Sequence, residues 1–546
     1  MRSLREFLNA LPPLPLPEEM RAWDAAAIRL GLPEVMLMEN AARAAFDVLR
    51  AHCPKLSGQT VWLFMGSGNN GGDAACLARH LLDAGARPQV LHAKALGAYK
   101  GVTAKHIRIA RAAGVPFSSL GRHDWHDRHE APAIMVDGLL GTGFSGELRP
   151  ALREVIERIN RLAPSRFVLA LDIPSGLNGV SGRPSPVAVQ ATATVSFAAA
   201  KPGLVLPWAR PWTGRLHVRA IGIPAVVRAT SPCSAYLLDG HCLNALPALP
   251  ENSYKNSFGH VLVLGGAPGL SGAAHLAARA ALRAGAGLVT AAAPAASLPE
   301  IKSGWPEIMT LALTEPGERQ WPGTLPEEFR ELCARCTALV VGPGMGRGED
   351  AARFLAALLD MPRRPPAVFD ADALMLLGRR PDLLERITSR DILTPHPGEA
   401  AALLACDTAV VQADRPAALS TLRTRCAGVM VLKGAGTLVG QADAPLLISP
   451  YDVPQLAVGG SGDVLAGCLG GLLALGAAVT RPSLCTAGLG VALHALAGRI
   501  CAASWPERGN RASELADALP RVRERFAHGN PDQAEREGQE VLPWPE

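Results

Sequence analysis

The sequence is poor in charged and in aromatic side chains. Charged residues make up 19% and aromatic residues 5% of its 546 residues, against about 25% charged in an average globular protein. Lys and Arg exceed Asp and Glu by only five, which is too small an excess to indicate a nucleic acid or a membrane surface as the partner. The hydrophobic fraction of 48% nevertheless excludes wholesale disorder. We therefore expect a folded protein packed largely from small residues.

The sequence also has no second close cysteine pair and no long uncharged run, and we expect no secretory leader. Segment 1–20 breaks into prolines before any apolar core. Cys333 and Cys336 are the one close pair among eleven cysteines, whereas a structural zinc site needs two such pairs. Segment 464–480 is uncharged over 17 residues, short of the about 20 needed to span a bilayer. We expect reduced thiols, a cytoplasmic location and a buried helix at 464–480.

The sequence repeats a pattern of a short β-branched run, a glycine-rich turn and an alanine- and leucine-rich stretch. The chain is longer than the about 250–300 residues that one core supports, so two domains are expected. Apolar runs that alternate with helices predict parallel sheets covered on both faces, and hence an α/β fold. The pattern breaks between 223 and 256, in a stretch predicted to be irregular. The predicted parts are a first domain 1–228, a linker 229–252, a second domain 253–520 and a polar tail 521–546.

The predicted strands are the short runs that precede glycine or a polar residue. They are 61–65, 134–136 and 167–171 in the first half, and 261–264, 339–341, 368–369 and 429–432 in the second. Ligands of open α/β sheets bind beyond the carboxyl ends of the strands. The residues that follow these runs are therefore the candidates for a functional site.

The first glycine-rich turn is Gly66-Ser67-Gly68-Asn69-Asn70-Gly71-Gly72-Asp73, followed by a predicted helix over 74–82. Glycine lets the backbone approach a ligand, and a helix N-terminus offers free N–H groups to an anion. The G-x-G-x-x-G spacing is present, but the acidic residue expected about 20 positions later in a dinucleotide site is missing. A tight βα turn is the alternative, and the polar Asn-Asn-…-Asp73 favours a ligand site.

Two further strand ends carry an aspartate followed by a glycine-containing turn. Asp137 leads into Gly138-Leu139-Leu140-Gly141-Thr142-Gly143, and Asp172 leads into Ile173-Pro174-Ser175-Gly176. A single strand-end aspartate is more often a helix N-cap than a catalytic group. Three polar turns in one domain favour a shared site instead. Lys201 stands alone, and we predict that its side chain is solvated.

The clearest chemical signal is Gly459-Gly460-Ser461-Gly462-Asp463, ahead of the apolar helix. Consecutive amides at a helix N-terminus form an anion hole for a transferring phosphoryl group, and Asp463 stands where a general base would accept a hydroxyl proton. A simple helix cap is the alternative, but a cap needs no preceding run of glycine and serine. Lys433-Gly434-Ala435-Gly436-Thr437 suits phosphate contacts without P-loop order, and a strand-end turn is the equal alternative. His396, between two prolines, is favoured as a substrate contact.

Over about 17–224 the chain resembles NAD(P)H-hydrate epimerases. The motifs that carry the resemblance are Leu37-Met38-Glu39-Asn40-Ala41, 68–73, 141–143, 172–176 and Lys201-Pro202-Gly203. The resemblance implies a potassium ion at Asn70, Asp137 and Ser175, and Asp172 as the carboxylate that stabilises a cationic ring and moves its proton. It places the hydrated nucleotide along Asn69, Asn70, Gly71, Gly72, Asp73, Gly141, Thr142, Gly143, Phe144, Ser145, Gly146, Glu147 and Asp172. Ala74 stands where the family usually has glycine, and its methyl group would crowd the pocket slightly.

Over about 253–520 the chain resembles the ribokinase-like superfamily, and within it the ADP-dependent NAD(P)H-hydrate dehydratases. The motifs include Gly342-Pro343-Gly344, 394–399, 433–437 and 459–463. The resemblance implies substrate contacts from Ala273, Gly344, His396 and Asp463. It implies contacts to ADP from Lys433, Gly434, Ala435, Gly436, Thr437 and Gly462, with magnesium on the diphosphate and with ATP as a possible substitute. Segment 449–455 departs from the asparagine- and glycine-rich stretch usual in that family.

Together the two resemblances imply two three-layer α/β domains, the first Rossmann-like and the second ribokinase-like. They imply a repair enzyme for hydrated NAD(P)H: the first domain interconverts the R and S hydrates, and the second dehydrates the S form with ADP. A small-alcohol (vitamin-precursor) kinase and a non-catalytic first domain for binding are the alternatives. The expected partners are small-molecule substrates and further copies of the chain in a homo-oligomer, with neither nucleic acid nor membrane.

Overall fold

The computed structural model describes residues 4–122, 132–144, 146–246, 251–477 and 481–527. These residues form two compact units. The first domain comprises residues 13–236. The second domain comprises the described residues from 237 to 527, together with segment 4–12, which includes the N-terminal helix α1 (Leu4–Asn9).

The first domain is built on a seven-stranded parallel sheet. Its strand order is β3-β2-β1-β4-β5-β6-β7, so that the chain reverses its direction of winding between the neighbours β1 and β4. Such a reversal opens a crevice at the carboxyl ends of the two strands. The elements are α2 (Pro17–Arg29), α3 (Glu34–His52), β1 (Thr60–Met65), α4 (Asn69–Asp83), β2 (Arg87–His92), α5 (Gly101–Ala112), β3 (Phe117–Ser119), β4 (Ile134–Gly138), α6 (Pro150–Leu162), β5 (Phe167–Leu171), β6 (Ala193–Phe197), α7 (Pro202–Val205), α8 (Arg210–Thr213), β7 (Arg215–Arg219) and α9 (Ala225–Thr230).

Successive residues of β1 enter two different cores. Val61, Leu63 and Met65 belong to one hydrophobic cluster, and Trp62 and Phe64 belong to the other. Because side chains alternate across a strand, an unbroken apolar run is what a sheet covered on both faces requires. The predicted three-layer α/β architecture of this domain is confirmed.

The second domain is built on a ten-stranded sheet. Its order is β11-β10-β9-β12-β13-β14-β15-β16-β17-β8, again with a reversal between neighbours, here β9 and β12. The elements are β8 (Ala235–Leu237), β9 (His260–Leu264), α10 (Ser271–Ala284), β10 (Leu288–Ala293), α11 (Leu298–Lys302), β11 (Met309–Ala312), α12 (Glu327–Arg335), β12 (Ala338–Val341), α13 (Glu349–Leu359), β13 (Ala367–Phe369), α14 (Asp372–Arg379), α15 (Pro381–Leu384), β14 (Ile392–Leu393), α16 (Pro397–Leu404), α17 (Thr408–Ala413), α18 (Arg415–Arg425), β15 (Val429–Leu432), β16 (Leu438–Gly440), β17 (Leu446–Ile448), α19 (Ser461–Ala477), α20 (Ser483–Ser504) and α21 (Ala512–Ala527).

The structure differs from the expected pattern at three places. Strands β15, β16 and β17 pair antiparallel, so this sheet is mixed. The stretch 224–250, predicted to be irregular, contains α9 and β8 and a short 3-10 turn at Gly240–Ala245. Helix α21 continues through the first residues of the predicted tail, because Leu519 and Val522 are buried against the core.

Two apolar helices of the second domain lie in its interior. Helix α19 packs so closely on α10 that a Cβ at Gly467 would stand 2.0 Å from the carbonyl oxygen of Ala277. The prediction of a buried helix at 464–480 is confirmed for its described part. Helix α20 has the length and composition of a membrane span, and 94% of its most apolar window is buried inside the protein.

Candidate active sites

The crevice of the first domain lies where the turns after β1 and β4 touch. A Cβ at Gly66 would stand only 1.7 Å from the carbonyl oxygen of Leu139, so this contact requires glycine. Helix α4 begins at Asn69 rather than at the predicted residue 74. Residues 69–73 therefore form the first turn of a helix, where backbone amides have no partner within the helix.

The three residues expected at a potassium site are brought together around Leu140. Asp137 is fully buried, and its carboxylate accepts hydrogen bonds from the Ser175 hydroxyl (2.6 Å) and the Ser175 amide (2.7 Å). Asn70 donates from Nδ2 to the carbonyls of Leu140 (2.7 Å) and Leu171 (3.0 Å). Its Oδ1 is buried without a hydrogen-bond partner. Burial raises the pKa of Asp137 to about 6, against the lowering effect of the Ser175 hydrogen bonds.

The buried Lys201 side chain forms an ion pair with the partly exposed Asp172 in the same crevice. The Lys201 ammonium also donates to the Ser196 hydroxyl (3.0 Å) and the Phe197 carbonyl (3.3 Å), which occupies its three N–H groups. The prediction that Lys201 is solvated is wrong, because its side chain is 1% exposed. Asp172 has a φ of +63°, a strained backbone conformation for a non-glycine residue that clusters at functional sites.

Two more carboxylates, those of Asp24 and Asp73, interact electrostatically with Asp172. Asp24, on α2, has its pKa raised to about 6 by burial and by Asp172, although Lys201 opposes the shift. Burial, Asp172 and Asp24 raise the pKa of Asp73 well above its usual range. Asp24 was not predicted, since it stands in an ordinary helical segment of the sequence and reaches the crevice only through the fold.

The other residues expected to bind the hydrated nucleotide differ in their burial and in their contact with Asp172. Gly141 lies between the side chains of Asn70 and Asp172, and the Thr142 amide donates to Asp172 (3.4 Å). Gly71 and Gly72 are buried within α4, whereas Asn69, Gly143, Gly146 and Glu147 are exposed. Phe144 packs on the second hydrophobic cluster, and Ser145 lies outside the described residues.

The methyl group of Ala74 points into the first hydrophobic cluster. Ala74 is fully buried, and its Cβ would stand 2.8 Å from a Cβ at Gly138. Because residue 138 is glycine, the extra carbon is accommodated. The expected crowding of the pocket by Ala74 is wrong, since the methyl group faces the core.

In the second domain the glycine-rich segment 459–462 contains the start of α19 at Ser461, and Asp463 stands in the first turn of this helix. Burial, reinforced by the charge of Asp370, raises the pKa of Asp463 to about 7 against the opposing charge of Lys433. A Cβ at Gly462 would stand 3.3 Å from Lys433 Nζ and 3.7 Å from Asp370 Oδ2. The glycine-rich segment, the lysine loop and the end of β13 therefore meet at one point.

Lys433 lies between two buried carboxylates. Its ammonium donates to Asp370 Oδ1 at 2.6 Å and lies 3.7 Å from Glu399 Oε2. Burial opposes its charge, but Asp370 and Glu399 outweigh burial and raise the pKa of Lys433. Burial raises the pKa of Glu399 to about 7. Glu399 stands in the motif 394–399 and Asp370 directly follows the predicted strand 368–369, but only the fold shows that they share Lys433.

The remaining residues expected in the second site lie on adjoining turns. Gly344 and Ala273 are neighbours, since a Cβ at Gly344 would be 3.2 Å from the Ala273 Cβ. His396 caps α16 by accepting from the Gly398 amide (3.0 Å), and its half-exposed ring reaches Glu399 at 3.3 Å. These positions leave the His396 ring accessible to a ligand.

Backbone hydrogen bonds join the loop 433–437 to segment 449–455, the segment that departs from the usual family sequence. The Gly436 amide donates to the Tyr451 carbonyl (3.1 Å), and the Ser449 amide donates to the Thr437 carbonyl (2.9 Å). Arg415 donates to the carbonyls of Leu432, Lys433 and Ala435. The altered segment therefore keeps an ordered contact with the loop that includes Ala435, Gly436 and Thr437.

Comparison with known proteins finds a family match for each of the two domains. Residues 34–203 match the family of the YjeF-related protein N-terminus, and residues 261–521 match the NAD(P)H-hydrate dehydratase family. The bifunctional NAD(P)H-hydrate repair enzyme of Moorella thermoacetica is 36% identical, over 90% of this chain and 92% of its own. That of Coxiella burnetii is 35% identical, over 91% and 96%. A dehydratase structure from Bacillus subtilis is 26% identical, covering 53% of this chain and 98% of its own, with a TM-score of 0.43.

The fold and the two sites define a two-domain α/β enzyme, with a carboxylate–lysine pair in one domain and a carboxylate in a glycine-rich helix start in the other. The chain belongs to the family of bifunctional NAD(P)H-hydrate repair enzymes. The resemblance carried by the motifs is thereby confirmed. The small-alcohol kinase with a non-catalytic first domain is not favoured, because both domains match that family.

Proposed function

We propose that this protein repairs hydrated NADH and NADPH. Its first domain interconverts the R and S hydrates, and its second domain dehydrates the S form with ADP, releasing NAD(P)H, AMP and phosphate. The observation that carries this proposal is the position of Asp463 in the first turn of α19, where its partly buried carboxylate has a pKa raised to about 7 beside the proposed anion hole. A general base is most effective when its pKa lies near the working pH.

The proposed dehydration begins with removal of the C6 hydroxyl proton by Asp463. The oxygen then attacks the terminal phosphoryl group of ADP, which breaks the bond to the α-phosphate and leaves AMP. Amides of 459–462 stabilise the charge that develops on the phosphoryl oxygens. The ring nitrogen lone pair next expels the C6 oxygen as inorganic phosphate, and loss of the proton at C5 restores the nicotinamide double bond.

Lys433 and its two carboxylates would set the charge of the nucleotide site. Asp370 and Glu399 offer the carboxylate oxygens that Mg²⁺ prefers. When bound, magnesium would neutralise charge on the diphosphate. Lys433 holds both carboxylates in place and adds a positive charge next to Gly462. ATP, with the same terminal phosphoryl chemistry, is the proposed substitute for ADP.

The proposed epimerisation uses Asp172, held in a fixed orientation by Lys201 and the Thr142 amide. Asp172 stabilises the cationic ring formed when the C6–O bond opens, and it moves the proton of the departing and returning water. Potassium fits the adjoining oxygens, because Asn70 Oδ1 is buried and unpaired and Asp137 carries a buried carboxylate. The ion would supply positive charge that orders the turns around Asp172.

We further propose that the substrates are the only partners besides copies of the chain, and that the protein is a cytoplasmic homo-oligomer. The small net charge gives no basis for binding nucleic acid or a membrane surface. All eleven cysteines are free, which suits a reducing compartment. Sedimentation of the purified protein would measure the oligomeric state.

The decisive experiment mixes the purified protein with both hydrates and ADP, and then with ATP, and follows NADH absorbance and each epimer by chromatography. The wild type should consume both epimers completely. Asp172→Asn should leave the R hydrate to its slow spontaneous epimerisation while the S hydrate is still consumed. Asp463→Asn should abolish NADH recovery but still equilibrate the epimers. A stable phosphorylated product without NADH would contradict the proposal.

A further inference from the structure

We propose that Glu39, Cys76 and His106 form a binding site for a divalent transition metal of the zinc class. The three residues stand on α3, α4 and α5 of the first domain. None of the three is among the residues described above in the crevice around Asp172. The site would tie together three helices that pack on one another beside the sheet.

The ligand atoms are already close. The donor atoms of Glu39, Cys76 and His106 all lie within 4.8 Å of one another. Bonds from zinc to sulfur are about 2.3 Å and bonds to nitrogen or oxygen are about 2.0–2.2 Å, so donors around a tetrahedral ion lie roughly 3.3–3.7 Å apart. Side-chain movements of about 1 Å are sufficient to bring the three donor atoms to these distances.

His106 gives an independent indication of a missing ligand. Its side chain is 2% exposed, yet neither ring nitrogen completes a hydrogen bond. The Val35 carbonyl near the ring does not satisfy either nitrogen. Buried polar atoms are almost always paired, so an unpaired buried imidazole calls for a specific explanation, and a bound ion is one such explanation. Imidazole is also the commonest nitrogen ligand of zinc.

Cys76 and Glu39 complete the donor set. The Cys76 thiol, 1% exposed, donates to Glu39 Oε2 at 3.2 Å. A metal would take the place of that proton: the S–H bond breaks, the metal–sulfur bond forms and H⁺ is released to solvent. Thiolate, imidazole and carboxylate together select zinc or cobalt over magnesium or calcium, which prefer oxygen ligands.

The surroundings hold a further imidazole and a competitor. His80 Nε2 lies 2.9 Å from Glu39 Oε1. Arg79 lies 2.6 Å from the same carboxylate and opposes a cation there. Its side chain keeps 23% exposure, so the guanidinium has a route to solvent when an ion enters. The carboxylate then binds the metal with one oxygen.

The test uses untagged full-length protein, stripped with a chelator and titrated with Co²⁺. The wild type should bind one ion per chain with a thiolate-to-cobalt charge-transfer absorption. Zn²⁺ should displace that ion, and at about a hundred times its Kd it should raise the Tm of the first domain by about 5–10 °C. Cys76→Ser and His106→Gln should each lose the absorption and the shift in Tm.

Cys53→Ser is the matched control, since Cys53 lies at the end of α3 away from these ligands. It should bind Co²⁺ as the wild type does. Circular dichroism of each variant checks that it is folded. Failure of the wild type to show the charge-transfer absorption, or an unchanged absorption in Cys76→Ser, would overturn the proposal. Activity with hydrated NADH is not the readout, so failure here and failure of the repair function are distinguishable.

Discussion

Replacing Asp463 by asparagine should abolish most of the dehydratase activity without disturbing the fold. The amide has the shape of the carboxylate and keeps polar atoms at the start of α19, but it cannot accept the hydroxyl proton. General bases contribute about 10²–10⁴-fold to such reactions, so kcat should fall by that factor. The anion hole and the nucleotide contacts remain, and KM for ADP should change little.

The same carboxylate should set the pH dependence. Burial and Asp370 raise its pKa to about 7, so the base is lost by protonation as the pH falls through that value. The wild-type rate should therefore drop about tenfold per pH unit below 7, and Asp463→Asn should lose this dependence. Because Glu399 has a pKa raised to a similar value, Glu399→Gln must be measured alongside.

The assay is the initial rate of NADH recovery from the S hydrate with saturating ADP. Asp443→Asn is the matched control, because Asp443 lies in the exposed turn between β16 and β17 and should leave the rate unchanged. A rate for Asp463→Asn within tenfold of the wild type would refute the assignment of Asp463 as the base. So would a wild-type pH profile that survives the substitution.

Four further outcomes are expected. In Asp172→Ala the buried Lys201 ammonium loses its carboxylate partner. The free energy of unfolding of the first domain, measured in urea, should therefore fall by about 3–5 kcal/mol. Replacing the exposed Asp47 by alanine should leave this free energy unchanged. Asp391→Ala, which strips five hydrogen bonds including two from buried Arg364, should cost a similar amount in the second domain. Gly462→Ala places a methyl group against Lys433 and should raise KM for ADP, unlike Gly323→Ala, which meets open space. Replacing K⁺ by choline should slow epimerisation but not dehydration, and equal rates in both salts would argue against the ion.

Sequence patterns predicted the strands well, because a strand buried on both faces needs an unbroken apolar run. The predicted run 167–171 coincides with β5 and the run 429–432 with β15, and the others match within two residues at either end. The start of α4 was misplaced by five residues. Glycine and asparagine are weak helix formers, and the helix there is imposed by packing on β1 and β4 rather than by propensity.

The site residues also fall into those predicted from local sequence and those that only the fold identifies. The glycine-rich turns and strand-end aspartates are local features, and the parallel topology alone places them at one edge of each sheet. Lys201 was misjudged, because its three buried acceptors lie at Asp172, Ser196 and Phe197 and only the fold gathers them. Asp24 was missed for the same reason, since α2 carries it to the crevice from about 150 residues away in the chain.

The sequence by itself thus determined the α/β class, the two domains, the family and the chemical groups that stand at the strand ends. Tertiary structure alone decided which charged and polar groups face one another: Lys433 with Asp370 and Glu399, Lys201 with Asp172, and Cys76 with Glu39 and His106. The physical reason is that hydrophobic periodicity and turn chemistry act over a few residues. Burial and Coulomb interactions instead depend on distances through space, which the chain sets only when its sheets are complete.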